Sequence, residues 1–246
     1  MGSGRLGHID GSRRVGHIPR NGISQTNYAY GFTDLVFWLD AGKGLNTSTD
    51  LAAVSSWVDV IRNWEFTQAT GANQPRLKAS NANFNNWPTV EFFDTARFMD
   101  STRGGLPIGA LTTVCFVAKY DTINTLNVVL GSTTVAGSMG MGGTAATGPY
   151  YGNSGVSVIT SGTTASTAAK IVVITASNII VNGASEYAGT ITGFPDWTSD
   201  RLGRRVGVTT HQLRGHIAEI LIFNYKMSSS DCVLLSDRIN SKYSLY

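Results

Sequence analysis

A chain of 246 residues with 42% hydrophobic content is long enough to bury one large core or two small ones. A net charge of +3 and a charged fraction of 14% exclude a nucleic-acid-coating protein. No apolar run reaches the roughly 18 residues of a membrane-spanning helix, and two cysteines exclude a disulfide framework in a chain of this length.

Residues 1–31 differ from the rest. Arg5, Arg13, Arg14 and Arg20 face one acid, Asp10, so this segment carries the whole net charge. It also repeats itself. Gly2 to Ile9 returns as Gly11 to Ile18 with six of eight positions identical. We expect an extended basic N-terminal arm over 1–31, ahead of a domain over 32–246. Arg5, His8, Ile9, Arg13, Arg14, His17, Ile18 and Arg20 are its expected partner-binding residues, the arginines pairing with acids. Residues 1–20 lack the apolar stretch of a signal peptide, which points to synthesis in a cytoplasm.

The next elements read as strands. Leu35 to Ala41, Ser56 to Asp59, Trp87 to Phe92 and Leu111 to Lys119 have the apolar, β-branched and aromatic content of strands. Asp50 to Val54 is expected to form a helical turn. Leu126–Leu130, Val156–Thr160, Lys170–Thr175 and Ser177–Val181 are shorter β-prone runs. Residues 131–155 and 160–169, rich in Gly, Ser, Thr and Ala, read as long surface loops. Asn182-Gly183 directly after Asn178 to Val181 predicts a hairpin, because a type I′ turn needs positive φ at both central residues. Residues 217–223 predict a last strand. A helix over 230–243 follows, with Ser228 as N-cap, Asp231 three residues on, and Cys232, Leu235, Ile239 and Tyr243 on one stripe. Cys115 and Cys232 read as small buried hydrophobes. The whole predicts an all-β, two-sheet antiparallel jelly-roll sandwich with a short C-terminal helix.

The closing string Gly215 to Tyr243, with Leu35 to Ala41, Ser56 to Asp59, Gln74 to Leu77, Trp87 to Phe92 and Leu111 to Lys119 in that order, resembles concanavalin A-like, laminin-G-like jelly-roll domains. The resemblance covers about Phe32 to Tyr246 and speaks to fold, not to function. Enzymes of that fold hydrolyse glycans, and resemble one another in a Glu-x-Asp-x-x-Glu strand motif. Phage surfaces commonly display domains resembling this family.

Glycoside hydrolysis generally uses two carboxyls. This chain has four glutamates, Glu65, Glu91, Glu186 and Glu219. Glu91 to Asp94 comes nearest to the motif but lacks its third carboxylate, and Glu219 is expected to pair with an arginine such as Arg214. The sequence therefore predicts no catalytic residues and no enzyme. His8, His17, His211 and His216 lack Cys/His ligand spacing, so no metal site is predicted. Gly137 to Gly143 lacks the Lys-Ser/Thr of a phosphate loop, so no cofactor is predicted. Sugar binding pairs aromatic platforms with polar groups, and Tyr150, Tyr151, Asn153, Asp196 and Trp197 have that chemistry, on expected loops. The reading is a bacteriophage virion protein, a capsid decoration or tail component present in several copies. Residues 1–31 would anchor it to other virion proteins, without nucleic-acid or membrane partners. A glycan-binding adhesin is the alternative and a glycan hydrolase the less favoured one.

Overall fold

The computed structural model describes residues 29–94, 96–122, 127–134, 137–141, 149–153, 158–164, 166–188, 197–206 and 211–246. In chain order the strands begin with β1 (Leu35–Asp40), β2 (Ser56–Val58), β3 (Glu65–Thr67), β4 (Arg76–Asn81), β5 (Trp87–Phe92) and β6 (Met99–Ser101). Next come β7 (Leu106–Ile108), β8 (Thr113–Tyr120), β9 (Asn127–Gly131), β10 (Ser138–Met141), β11 (Pro149–Asn153) and β12 (Val158–Thr164). The last are β13 (Lys170–Ile174), β14 (Asn178–Val181), β15 (Ala184–Ala188), β16 (Trp197–Ser199), β17 (Arg201–Leu202) and β18 (Gly215–Phe223), followed by α1 (Ser229–Tyr243).

Two antiparallel sheets form a sandwich, as the sequence predicts. One runs β15-β14-β13-β8-β18-β5-β4, with β1 also paired to β18; the other runs β12-β11-β10-β9-β17-β6-β3-β2. A two-stranded ribbon of β7 and β16 stands apart. Between the sheets lies a core that includes Phe37, Phe66, Phe92, Phe116 and Ile220. Phe37 and Phe66 meet edge to face across it, with ring centroids 5.8 Å apart.

β18 is buried along all nine residues. Alternation sends Ile217, Ile220 and Ile222 into the sandwich and Ala218, Leu221 and Phe223 toward α1. A strand covered on both faces must be continuously apolar, and this one is, apart from His216 and Glu219. A register shift between Ile217 and Glu219 accompanies the acid, as bulges do where a side chain is re-aimed. The helix lays Cys232, Leu235, Ile239 and Tyr243 on this outer face, each burial of that size contributing about 1.5–3 kcal/mol. Its start is set by Ser228, whose Oγ accepts from Asp231 N at 3.1 Å and donates to Asp231 Oδ2 at 2.7 Å. Both cysteines are free and buried, as expected.

The hairpin also forms as predicted. Asn182 and Gly183 have φ of 49° and 75°, and β14 pairs with β15 through Val181 and Ala184. Two expectations fail. Residues 131–155 and 160–169 are not simply loops, because β10, β11 and β12 extend the second sheet through them. Small residues suit that position: a Cβ on Gly140 would come 2.1 Å from Asn127 O on the neighbouring strand. Asp50 to Val54 is not helical; Leu51 takes positive φ, 62°, and Ala53 bridges to Arg76. Residues 1–28 of the expected arm lie outside the described residues.

Candidate functional site

The candidate site is built where β1 leaves the first sheet and α1 ends. Trp38 lies on the half-buried face of β1, and two residues on Asp40 closes the strand. Trp87 opens β5 and is 42% exposed, unusual for a side chain of its size. Lys242 comes from the last turn of α1 and Tyr30 from the tight turn before β1. Together with Ala29 and Lys43 they line a groove of about 390 Å³. At Lys43 it adjoins a second groove of about 440 Å³, walled by residues 41–48, Leu77, Ala79 and Pro88. Gly44 permits that wall: its φ is +71°, and a Cβ there would lie 2.2 Å from Val58 O. Both volumes fall in the range of ligand clefts.

Beneath the groove the polar groups form one network. Glu219 is fully buried and accepts from Trp38 Nε1 at 2.7 Å, Tyr243 OH at 2.8 Å and Tyr30 OH at 2.9 Å. The Lys242 ammonium lies 3.3 Å from Glu219 Oε2 and 3.2 Å from Asp40 Oδ2. Asp40 Oδ1 accepts from Gly42 N at 2.8 Å, which starts the turn into the groove wall. Burial pushes the Glu219 carboxyl above the usual carboxylate range; Lys242 opposes the shift. Burial and the neighbouring Glu219 raise the Tyr30 and Tyr243 phenols as well, so both stay protonated donors. The predicted Glu219–Arg214 pairing is thus corrected: the bulged strand aims the acid at α1 and β1, where these four donors meet it.

The network fixes the side chains that face solvent. Tying Trp38 and Tyr243 to one carboxylate holds both rings, and Tyr243 in turn meets Trp87 edge to face at 6.5 Å. Lys242 Nζ stands 4.9 Å from the Trp87 ring and Lys43 Nζ 4.5 Å from the Trp38 ring. The groove is therefore walled by two indoles and the exposed Lys43 ammonium, with the Lys242–Asp40 ion pair at its floor. Such a surface stacks on an apolar ring face and hydrogen-bonds its polar edge.

The sequence-predicted sugar residues are placed differently. Tyr150, Tyr151 and Asn153 belong to β11, not to a loop, with Tyr151 paired to Gly140 and Asn153 to Ser138; Trp197 opens β16 opposite Ile108. Their side chains, and the whole of Asp196, lie outside the described residues, as do Arg5, His8, Ile9, Arg13, Arg14, His17, Ile18 and Arg20. Sequence reasoning assigned Trp38 and Trp87 to strands and gave neither a site role. The available signal was Trp87-Pro88 at a strand start, where a large aromatic sits at the rim.

No family model matches the chain and no curated relative matches it. Solved structures do share the fold. Domain 4 of an extracellular arabinanase from Geobacillus stearothermophilus, solved with arabinotriose, matches at 14% identity and TM-score 0.54, over 82% of this chain and 98% of that domain. A Trypanosoma rangeli sialidase with sialic acid matches at 15% identity and TM-score 0.54, over 86% of this chain and 34% of its own length. An α-L-arabinofuranosidase matches at 12% identity and TM-score 0.53, over 79% and 52%. The chain thus spans about a third of the sialidase and about half of the arabinofuranosidase. These likenesses place the fold among β-sandwich domains of glycan-hydrolysing proteins; none carries the concanavalin A-like or phage assignment. They also overturn the expectation of a non-enzyme, since each of these neighbours belongs to a glycoside hydrolase.

Proposed function

We propose that the chain is a glycan-binding β-sandwich module of a carbohydrate-active protein, seating its ligand in the groove between Trp38 and Trp87. The observation that carries this reading is the 42% exposure of the Trp87 indole at a groove of about 390 Å³ that also displays Lys43, Lys242 and Asp40. Water left on an indole face is displaced well by the C–H face of a pyranose or furanose ring, while the exposed Lys43 ammonium reaches its hydroxyls. An arabinanase domain of this fold, solved with arabinotriose, supports the ligand class and supplies the first probe.

The test is calorimetric titration of arabino-oligosaccharides and a glycan panel into the wild type, Trp87→Ala and Trp197→Ala. Loss of at least tenfold in affinity, about 1.4 kcal/mol, in Trp87→Ala alone is the expected result. Loss in Trp197→Ala alone would move the site to Tyr150, Tyr151, Asn153, Asp196 and Trp197. A second reading, hydrolysis in the same groove, is favoured by the glycosidase origin of the fold neighbours. Its carboxylate at the groove is Asp40, so Asp40→Asn abolishing sugar release would support it. Display on a phage particle through residues 1–31 is the finer reading, supported by the arm's repeated basic sequence. Deletion of 1–31 releasing the chain from its particles while glycan binding persists is the result expected of it.

A further inference from the structure

A second cluster stands on the outer face of the first sheet. Arg76 on β4, Glu91 on β5, His216 on β18 and Lys119 on β8 form one cross-strand row, each the register partner of the next. Asp121 follows just past β8, its N–H bonded to Arg214 O at 2.8 Å. The His216 ring is nine-tenths buried, and its Nε2 faces Asp121 Oδ2 at 3.7 Å and Glu91 Oε1 at 3.9 Å. Both distances lie beyond hydrogen-bond reach. The three ligand atoms fall within 4.8 Å of one another.

We propose that Glu91, Asp121 and His216 bind a first-row divalent metal ion of the zinc type, one oxygen or nitrogen from each, with water completing the shell. The geometry of the cluster carries it. The outer oxygens of the two acids are already committed, Glu91 Oε2 to Arg76 Nε at 2.5 Å and Asp121 Oδ1 to Lys119 Nζ, which leaves the inner oxygens turned to Nε2. Behind the ring, Nδ1 lies 3.2 Å from Thr89 Oγ1. Asn81 Oδ1 accepts from Asn83 N at 3.1 Å, so its Nδ2 faces Thr89 Oγ1, also at 3.1 Å. Asn81 Nδ2 also lies 3.3 Å from Nδ1, so two polar groups hold the ring from behind and turn Nε2 toward the acids, and the Thr89 hydroxyl is placed to accept from Nδ1–H once a metal takes the Nε2 lone pair.

The spacing agrees too. Zinc bonds of about 2.0–2.2 Å set tetrahedral ligand separations of roughly 3.3–3.6 Å, so the two gaps to Nε2, 3.7 and 3.9 Å, need to close by only a few tenths of an ångström, and the two carboxylate oxygens start within 4.8 Å of each other. Calcium, which takes oxygen ligands, fits the imidazole poorly.

The test uses the full chain, stripped with a chelator, titrated with Zn²⁺ by calorimetry and with Co²⁺ by visible absorption. One ion per chain with a Co²⁺ d–d band is expected. Asp121→Asn, at a partly exposed position, should keep the metal-free melting temperature and weaken binding at least about tenfold. A His8→Ala/His17→Ala variant should bind as the wild type does. The proposal is overturned by a wild type silent up to millimolar metal, by Asp121→Asn titrating like the wild type, or by all binding vanishing with His8 and His17.

Discussion

Asp40 and Glu219 stand opposite one another in the β1–β18 register, and a single ammonium, Lys242 Nζ, lies 3.2 Å from an oxygen of the first and 3.3 Å from an oxygen of the second. Two like charges at one point of a sheet core repel and lose hydration, and the helix C-terminus delivers the cation between them. Lys242→Met is expected to cost about 3–5 kcal/mol in urea unfolding at pH 8, as for removal of one partner from a buried ion cluster. The pH dependence follows from the raised Glu219 carboxyl. Between its unfolded value, about 4.3, and its higher native value, the folded state holds a proton that the unfolded state has released. Its stabilisation is therefore greatest below the unfolded value and declines as pH rises through the native one. Removing Lys242 lifts the native value further, so the variant's deficit should shrink between pH 8 and pH 5. An unchanged deficit would mean that Glu219 does not titrate with folding.

Leu235 is fully buried between α1 and the outer face of the first sheet. Leu235→Ala is expected to lower stability by about 2–5 kcal/mol, by lost transfer energy and the cavity left behind. Thermal melting reads it directly. A variant melting with the wild type would mean that the helix is not docked in solution.

The last strand and helix are legible because Ile217 to Phe223 is a continuous apolar run and Cys232, Leu235, Ile239 and Tyr243 follow helical spacing, both local signals. β10 to β12 are not legible. Ser138, Gly140, Gly152 and Ser161 are turn formers by propensity, and the pairing that makes them strands comes from β9 and from one another. The groove is hidden for the same reason: Trp38, Trp87 and Lys242 belong to a first strand, a fifth strand and the only α-helix among the described residues. Glu219 is visible as an acid in an apolar strand, an anomaly that calls for a partner; the sequence suggests Arg214, whereas the fold supplies Trp38, Tyr30, Tyr243 and Lys242. The Glu91–Asp121–His216 cluster has no sequence spacing at all, because the cross-strand register assembles it.

The β14–β15 hairpin offers a third expected outcome. Gly183 takes φ of 75°, and its N–H donates to Ser236 Oγ at 3.0 Å, tying the turn to α1. Gly183→Ala places a Cβ in the left-handed region, where an L-residue is disfavoured by about 1–2 kcal/mol. The added Cβ would also lie 3.1 Å from Asp237 Oδ1 and Tyr246 OH. Urea unfolding should show a loss of that order with an unchanged m-value. Gly183→Asn should lose less, since asparagine tolerates positive φ.

Cys115 and Cys232 share the cluster beneath α1, both free and buried. Burial pushes the Cys232 thiol up to about 12, and raises Cys115 as well. At pH 8 a thiol of pKa about 12 is ionised in about one molecule in ten thousand, and the thiolate is the species that attacks a disulfide reagent. Native protein at pH 8 is therefore expected to react with an aromatic disulfide reagent far more slowly than free cysteine does. Two equivalents should be released promptly in denaturant. Because access requires α1 to lift from Leu221 and Phe223, the slow native rate should rise in Leu235→Ala while its denatured rate stays the same. Fast modification of one thiol in the folded wild type would place that cysteine at the surface and undo the packing assigned to the helix.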